Sequence, residues 1–220
     1  MTKGLEQELF EYTLTRILYY YQNVDYHLKN QQKNLWQRKL STSITNKKVL
    51  IIGTGKIGSY IGTELSKLKM NVYGVNSSGY DILGFKQCYT FTTIDKSIKY
   101  DVVVNVLPST PQTINIFERK FFNEVKMDVF INIGRGNAVV VEDLVEKLEA
   151  NQIKMAFLDV FQEEPLKSES QLWQTNNLIL TPHIAGVPNF EQLIESITTN
   201  YKRVVKGKKI EDVVNIEKGY

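Results

Sequence analysis

The sequence has few cysteines, little net charge and no long apolar run. Cys88 is the single cysteine, which excludes an internal disulfide and favours a reducing compartment. No apolar run reaches the roughly 18 residues that a membrane span needs, and residues 1–20 lack a signal-peptide pattern. With 27 basic and 24 acidic residues the formal charge is only +3, too balanced to predict nucleic acid or a membrane surface as partner. We therefore predict a cytoplasmic protein.

From Lys47 onward, short apolar runs alternate with helical stretches. Six apolar runs predict strands: KKVLII, NVYGV, DVVVNVL, DVFINI, IKMAFLDV and LILT. Helices are predicted between them, for example over 56–69 and 141–150. Because most of these runs are nearly continuous in Val, Ile and Leu, they indicate strands covered on both faces, which is typical of a parallel sheet. The predicted fold class is α/β, a Rossmann-type doubly wound parallel sheet flanked by helices.

Amphipathic patterns at both ends predict long terminal helices, one over about 5–30 and one over about 189–207. The second carries its apolar residues on one stripe: Phe190, Leu193, Ile194, Ile197, Tyr201 and Val204. Trp36 and Trp173 are expected to be packing residues. We expect three parts: an N-terminal helix and connector (1–40), a dinucleotide-binding domain (41–187), and a C-terminal helix and tail (188–220).

The motif GTGKIG follows the first predicted strand directly and opens a helix. Gly53 permits the tight turn, Gly55 lets the backbone approach a pyrophosphate, and Gly58 allows the helix to pack closely on the strand. The helix N-terminus, at Lys56 and Ile57, supplies amide donors and a positive dipole. In this context the G-x-G-x-x-G pattern predicts a dinucleotide site.

The second predicted strand ends in GVNSSGY, at the place where an acidic residue would grip the adenosine ribose of NAD. Asn76, Ser77 and Ser78 are neutral, so no carboxylate repels a 2′-phosphate and no arginine binds one. Each of the three residues equally suits an ordinary turn. The sequence therefore allows NADP or NAD.

Four segments in order resemble the D-isomer-specific 2-hydroxyacid dehydrogenases: GTGKIG, NVLPSTPQT, NIGRGNAVVVEDLVEKLEANQIKMAFLDVFQEEPL and LILTPHIAG. The similarity covers about residues 9–207, and the closing EKGY resembles the glyoxylate/hydroxypyruvate reductase branch. The resemblance implies an NAD(P)-dependent oxidoreductase that transfers a hydride between the coenzyme and a small 2-oxo or 2-hydroxy acid, with NADPH slightly favoured. That branch usually carries an arginine near Ser77, which this sequence lacks.

The resemblance also implies the catalytic residues. Arg135 would bind the substrate, because the planar guanidinium can hold the carboxylate and carbonyl oxygens together. His183 would protonate the carbonyl oxygen, and Glu164 would pair with it and favour the imidazolium. Glu163 competes for this role, but the family motif places the glutamate next to Pro165 and so favours Glu164.

Further coenzyme contacts follow from the same resemblance. Asp159 would hydrogen-bond the nicotinamide carboxamide, although capping of a strand or helix is an alternative for it. Leu107 and Pro108 would lie against the adenosine, while Arg135 and His183 stand at the nicotinamide. The other residues expected to line the nicotinamide end are Ile133, Gly134, Ala185 and Gly186. No metal site is predicted.

Members of the family carry a further domain of about a hundred residues before the first long helix. We expect the present sequence to begin at that helix, and therefore to bind coenzyme but reduce 2-oxo acids slowly. The terminal helices would then expose surface, which favours a homodimer. Two alternatives stay open: a non-catalytic NAD(P)-binding sensor or dimerisation module, and a D-lactate or phosphoglycerate dehydrogenase.

Overall fold

The computed structural model describes residues 5–187, 190–210 and 213. The ends of the predicted N-terminal and C-terminal parts, at 1–4 and most of 211–220, lie outside the described residues. The helices are α1 (Glu6–Tyr21), α2 (Val24–Gln32), α3 (Lys56–Lys67), α4 (Arg119–Glu124), α5 (Val141–Glu149) and α6 (Phe190–Val205). The strands are β1 (Lys48–Ile52), β2 (Asn71–Val75), β3 (Gln87–Tyr89), β4 (Tyr100–Asn105), β5 (Met127–Asn132), β6 (Met155–Leu158) and β7 (Leu178–Leu180).

The seven strands form one sheet in the order β3-β2-β1-β4-β5-β6-β7. Every neighbouring pair is parallel, which confirms the predicted doubly wound fold. The chain passes from β1 to one side through β2 and β3, then returns to continue on the other side with β4. Strand β3 was not predicted, because its three residues, Gln-Cys-Tyr, form no apolar run.

Alternating side chains of the central strands build a core on each face of the sheet. On one face Leu50, Val103 and Phe130 pack with aromatic residues of and near α4. On the other face Ile51 and Val104 pack with apolar residues of α1 and α3. Because both faces are covered, the strands can be apolar throughout, which explains the continuous runs in the sequence.

The N-terminal region differs from its prediction, since the single helix expected over 5–30 is broken into α1 and α2. Asn23 stands between them with φ +55°, a left-handed conformation that asparagine tolerates better than most residues. Its side-chain amide donates to the Leu40 carbonyl at 2.9 Å. The helical pattern of the sequence continues through this point, and the break coincides with this contact to a segment 17 residues away.

Two segments of the surface carry several exposed apolar side chains each. Trp36 is fully exposed, as are large parts of Leu35 and Leu40, so the prediction that Trp36 packs within the chain is wrong for the described residues. The predicted stripe on α6 is present, and Phe190, Ile194 and Tyr201 lie exposed on it. Within the described ranges, no helix is long and apolar enough to cross a bilayer.

Candidate active site

The predicted site residues lie in loops at the carboxyl ends of the parallel strands, which share one edge of the sheet. These loops approach one another closely. A Cβ at Gly134, after β5, would lie 2.7 Å from the Leu107 carbonyl oxygen, after β4. A Cβ at Gly136 would lie 1.9 Å from the Phe161 carbonyl carbon, after β6. Glycine is therefore required on both sides of Arg135 for the backbones to meet.

The glycine-rich turn between β1 and α3 has the geometry of an anion site. Gly53 has φ +97°, and a Cβ at Gly58 would lie 2.0 Å from the Gly53 carbonyl oxygen, so helix and turn are in direct contact. A Cβ at Gly55 would meet no described atom within 4 Å. No side chain of the described chain caps α3, so the amides at Lys56 and Ile57 can receive the pyrophosphate of a dinucleotide.

The loop at the end of β2 is neutral at Asn76, Ser77 and Ser78, and it is hydrogen-bonded both within itself and to the turn after β1. The Asn76 side chain donates to the Thr54 hydroxyl at 3.1 Å and accepts from the Ser78 amide at 3.1 Å. Ser77 and Ser78 are exposed. Asp81 lies a few residues further on, and one of its carboxylate oxygens accepts from the Cys88 amide at 2.7 Å. The exposed hydroxyl groups of Ser77 and Ser78 can thus face an adenosine ribose.

Arg135 is exposed, and the loop that carries it is held by two buried asparagines at the strand ends. Asn105, at the end of β4, donates to the Asn132 side-chain oxygen at 2.8 Å. Asn132, at the end of β5, also accepts from the Gly134 amide at 3.1 Å and donates to the Arg135 carbonyl at 3.2 Å. Asn105 accepts from the Leu107 amide at 2.9 Å, so one network fixes both loops.

Sequence reasoning missed this asparagine pair, although a signal was present. Each asparagine ends an apolar run, at VVVN and VFIN, and both are almost completely buried. A polar side chain buried in a strand needs hydrogen-bond partners. Because both asparagines end strands that the predicted sheet places side by side, a hydrogen bond between them could have been predicted.

His183 and Glu164 are in direct contact. The histidine Nδ1 lies 2.8 Å from the Glu164 Oε2, with side-chain exposures of 50% and 35%. The other Glu164 oxygen accepts from the Phe161 amide at 2.9 Å. Glu163 instead forms an exposed ion pair with Lys167 at 3.0 Å. Of the two adjacent glutamates, Glu164 is the one that contacts His183, and it does so at Nδ1, which leaves the imidazole Nε2 as the nitrogen available to another group.

The surroundings of Glu164 favour its charged form. Partial burial acts to raise its pKa, but hydrogen bonds from His183 and the Phe161 amide, together with the charges of His183 and Arg135, lower the pKa below its ordinary value. Because the pKa of Glu164 is lowered in the folded chain, the stability that its charged form contributes is fully present above the ordinary carboxyl pKa, near pH 4. This contribution is lost as the pH falls through the lowered pKa. At neutral pH the carboxylate is available to His183.

Asp159, at the end of β6, receives its hydrogen bonds from the loop that follows β7, an arrangement that fits the capping alternative. The residue is 1% exposed, and its carboxylate accepts hydrogen bonds from the Thr181 hydroxyl at 2.6 Å, the Ile184 amide at 3.0 Å and the Ala185 amide at 2.8 Å. The donors all belong to the loop that contains His183. The sequence did not single out Thr181, because nothing in its pattern indicates that the Thr181 hydroxyl lies beside Asp159.

The other predicted coenzyme residues also lie along this edge. Leu107 and Pro108 are half-buried after β4, and Gly186 is half-buried after β7. Ile133 and Ala185 are buried with their side chains in the core on the α1 face, so their remaining exposed surface is small. Among the described residues, no group of three or more His, Cys, Asp or Glu side chains could hold a metal ion.

A doubly wound parallel sheet with a glycine-rich turn between its first strand and the following helix defines the class of dinucleotide-binding domains, whose ligands bind at the carboxyl ends of the strands. The family model described as "D-isomer specific 2-hydroxyacid dehydrogenase, NAD binding domain" matches residues 14–185. The chain therefore belongs to this family of NAD(P)-dependent enzymes.

Individual relatives agree with the family. A curated "Glyoxylate/hydroxypyruvate reductase A" of Yersinia enterocolitica is 28% identical over 219 residues, which are 99% of this chain and 70% of the relative. The solved structure of an NADPH-dependent glyoxylate/hydroxypyruvate reductase from Sinorhizobium meliloti, in complex with NADP and sulfate, is 27% identical with a TM-score of 0.92, covering 100% of this chain and 72% of that one. A phosphoglycerate dehydrogenase structure from Lactobacillus plantarum is 31% identical with a TM-score of 0.81, covering 97% and 72%.

Proposed function

We propose that this chain is the coenzyme-binding part of a reductase that converts a small 2-oxo acid, such as glyoxylate or hydroxypyruvate, to the 2-hydroxy acid. The observation that carries the proposal is the 2.8 Å contact between His183 and Glu164, at the sheet edge that also bears Arg135 and the glycine-rich turn. A binding module would need the turn, but it would have no use for a histidine held by a carboxylate beside an arginine.

Each side chain has a separate task in this reaction. The guanidinium of Arg135 binds the substrate carboxylate and orients the neighbouring carbonyl. The imidazolium of His183, held at Nδ1 by Glu164, gives the proton at Nε2 to the carbonyl oxygen. The bound nicotinamide supplies the hydride to carbon two. The product is the 2-hydroxy acid, and His183 is left neutral until it takes a proton from solvent.

The substrate is assigned by class. The relatives include a glyoxylate/hydroxypyruvate reductase and a phosphoglycerate dehydrogenase, whose substrates share a carboxylate next to the reacting carbon. Arg135 and His183 are suited to that shared group, while the remainder of the substrate would be recognised by other surfaces. We propose the smaller acids because the end of β2 and the closing EKGY resemble the glyoxylate/hydroxypyruvate branch.

The coenzyme site is tested by Gly55→Ala. The new methyl group would meet no described atom of the protein within 4 Å, but it would occupy space that the pyrophosphate needs. We expect the Kd for NADPH to rise roughly tenfold or more, since overpacking costs about 1–3 kcal/mol. Nicotinamide fluorescence titration gives the Kd, and an unchanged melting temperature of the free variant is the control. An unaltered Kd would show that the coenzyme binds elsewhere.

The neutral end of β2 predicts weak discrimination between the coenzymes. We expect NADPH and NADH to bind with Kd values within roughly tenfold of each other, NADPH being slightly favoured, because no described charge at Asn76, Ser77 or Ser78 attracts or repels the 2′-phosphate. Parallel fluorescence titrations at one ionic strength measure the ratio. A hundredfold preference for NADH would mean that a carboxylate, with Asp81 the first candidate, reaches the ribose.

We also propose that the chain forms a homodimer through the segment containing Leu35, Trp36 and Leu40, whose exposed apolar side chains are costly in water. Sedimentation equilibrium should show a mass near twice the 25.4 kDa of the chain. Trp36→Ser is expected to shift the equilibrium toward monomer. Trp173→Ser, which changes the other, half-exposed tryptophan, is the matched control. If both variants and the unchanged chain dimerise to the same extent, the segment around Trp36 is not the dimer interface.

A further inference from the structure

We propose that Tyr12, Thr181 and Asp159 form a hydrogen-bonded chain that positions His183, so that helix α1 holds the general acid in its working orientation. The catalytic consequence rests on the proposed function, but the positioning itself does not. The three residues are positioning residues, because they act on the imidazole through the backbone of the loop that carries it.

His183 has a backbone conformation that needs support. Its φ is +54°, in the left-handed region that a residue with a Cβ seldom adopts. Its amide donates to the Asp159 carbonyl at 2.8 Å and to the Thr181 carbonyl at 3.0 Å. The direction in which the imidazole leaves the backbone is thus tied to Asp159 and Thr181.

The Asp159 carboxylate fixes the rest of the same loop. It receives the Thr181 hydroxyl on one side of His183 and the amides of Ile184 and Ala185 on the other. Because Asp159 is only 1% exposed, solvent offers little replacement for a lost donor, so each hydrogen bond to the carboxylate is costly to break. The carboxylate therefore closes the loop around His183 from both sides.

Tyr12 extends this network to α1. Its hydroxyl lies 2.6 Å from the Thr181 hydroxyl. Because Thr181 gives its only hydroxyl proton to the Asp159 carboxylate, Tyr12 must be the donor in this pair. Burial raises the pKa of Tyr12, with the hydrogen bond to Thr181 and the nearby Arg16 acting in the opposite direction, so the phenol keeps its proton. The Arg16 guanidinium lies 4.2 Å above the ring and helps to hold it.

This arrangement matters because proton transfer depends on position. A displacement of about 1 Å can cost as much as a hundredfold in rate even when the displaced contact is far from the reacting atoms. Glu164 orients the imidazole from its Nδ1 side, whereas Asp159 sets the backbone from which the imidazole projects. Both supports are needed to define where Nε2 lies.

The first test uses the 220-residue chain and does not depend on turnover. The chain has only two histidines, so imidazole ¹⁵N and ¹H resonances can be assigned with His27→Gln. We expect Thr181→Val, which removes the hydroxyl at nearly constant volume, to shift the His183 resonances and leave those of His27 in place. Thr181→Ser should restore them, and Tyr12→Phe, which removes only the outer bond, should give a smaller shift. Unchanged His183 resonances in Thr181→Val would overturn the proposal.

The second test measures the catalytic consequence. It uses an extended protein, in which the part of the Yersinia relative that this chain does not match precedes Met1. In Thr181→Val we expect kcat to fall by about tenfold to a hundredfold, with the Kd for NADPH within twofold and activity regained in Thr181→Ser. Shifted resonances with unchanged kcat would refute a role in catalysis. If the unmutated extended protein reduces no 2-oxo acid, the proposed function fails, while the resonance test of positioning still stands.

Discussion

Replacing His183 by glutamine is expected to lower kcat for glyoxylate reduction by roughly 10²-fold to 10⁴-fold, the range that general acid catalysis contributes. Glutamine can still donate a hydrogen bond to the carbonyl oxygen, but it cannot transfer a proton. The Kd for NADPH should change little, because the proton is needed only in the chemical step. The loss should therefore lie almost wholly in kcat.

The measurement is steady-state NADPH oxidation in the extended protein, together with a coenzyme titration of each variant. His27→Gln is the matched control, since it changes the only other histidine, whose Nε2 lies 3.2 Å from the Lys39 carbonyl oxygen in an exposed position. We expect its kcat to equal that of the unchanged protein. Normal turnover in His183→Gln would remove His183 from the proton transfer.

Replacing Arg135 by lysine is expected to lower kcat/KM for the 2-oxo acid by roughly 10²-fold to 10³-fold, similar to the loss of an oriented donor in other active sites. The ammonium keeps the charge but loses the planar fork that can hold two oxygens at once. The flanking residues Gly134 and Gly136, which the close loop packing requires, are unchanged. We expect NADPH to bind with nearly the same Kd.

Arg119→Lys is the control for the Arg135 variant. Arg119 is an exposed arginine paired with Asp143 and Glu146 at the start of α4, so the same chemical change is made away from the sheet edge. Initial rates over a range of glyoxylate concentrations separate kcat from KM. If both arginine variants have the same kcat/KM as the unchanged protein, Arg135 does not bind the substrate.

Local patterns allowed much of the fold to be predicted. The glycine-rich turn, its strand and its helix lie within 20 consecutive residues, from Lys48 to Lys67, and each glycine has a role set by its immediate neighbours. The apolar runs predicted six strands because burial on both faces leaves no place for alternating polar residues. Strand β3 and the break at Asn23 escaped prediction, because both involve partners elsewhere in the chain: β3 pairs with β2, and Asn23 is hydrogen-bonded to Leu40.

By itself, the sequence determined the parallel sheet and the nucleotide turn, since these follow from spacing along the chain, while the candidate catalytic residues followed from the resemblance to the family. The family motif favoured Glu164 over Glu163, but only the tertiary structure shows the contact that Glu164 makes with His183, 19 residues later. It also decided that Asp159 receives donors from Thr181 to Ala185, and that Asn105 pairs with Asn132. The physical reason is that a hydrogen bond depends on distances of a few tenths of an ångström, and packing of the whole sheet sets those distances between residues far apart in sequence.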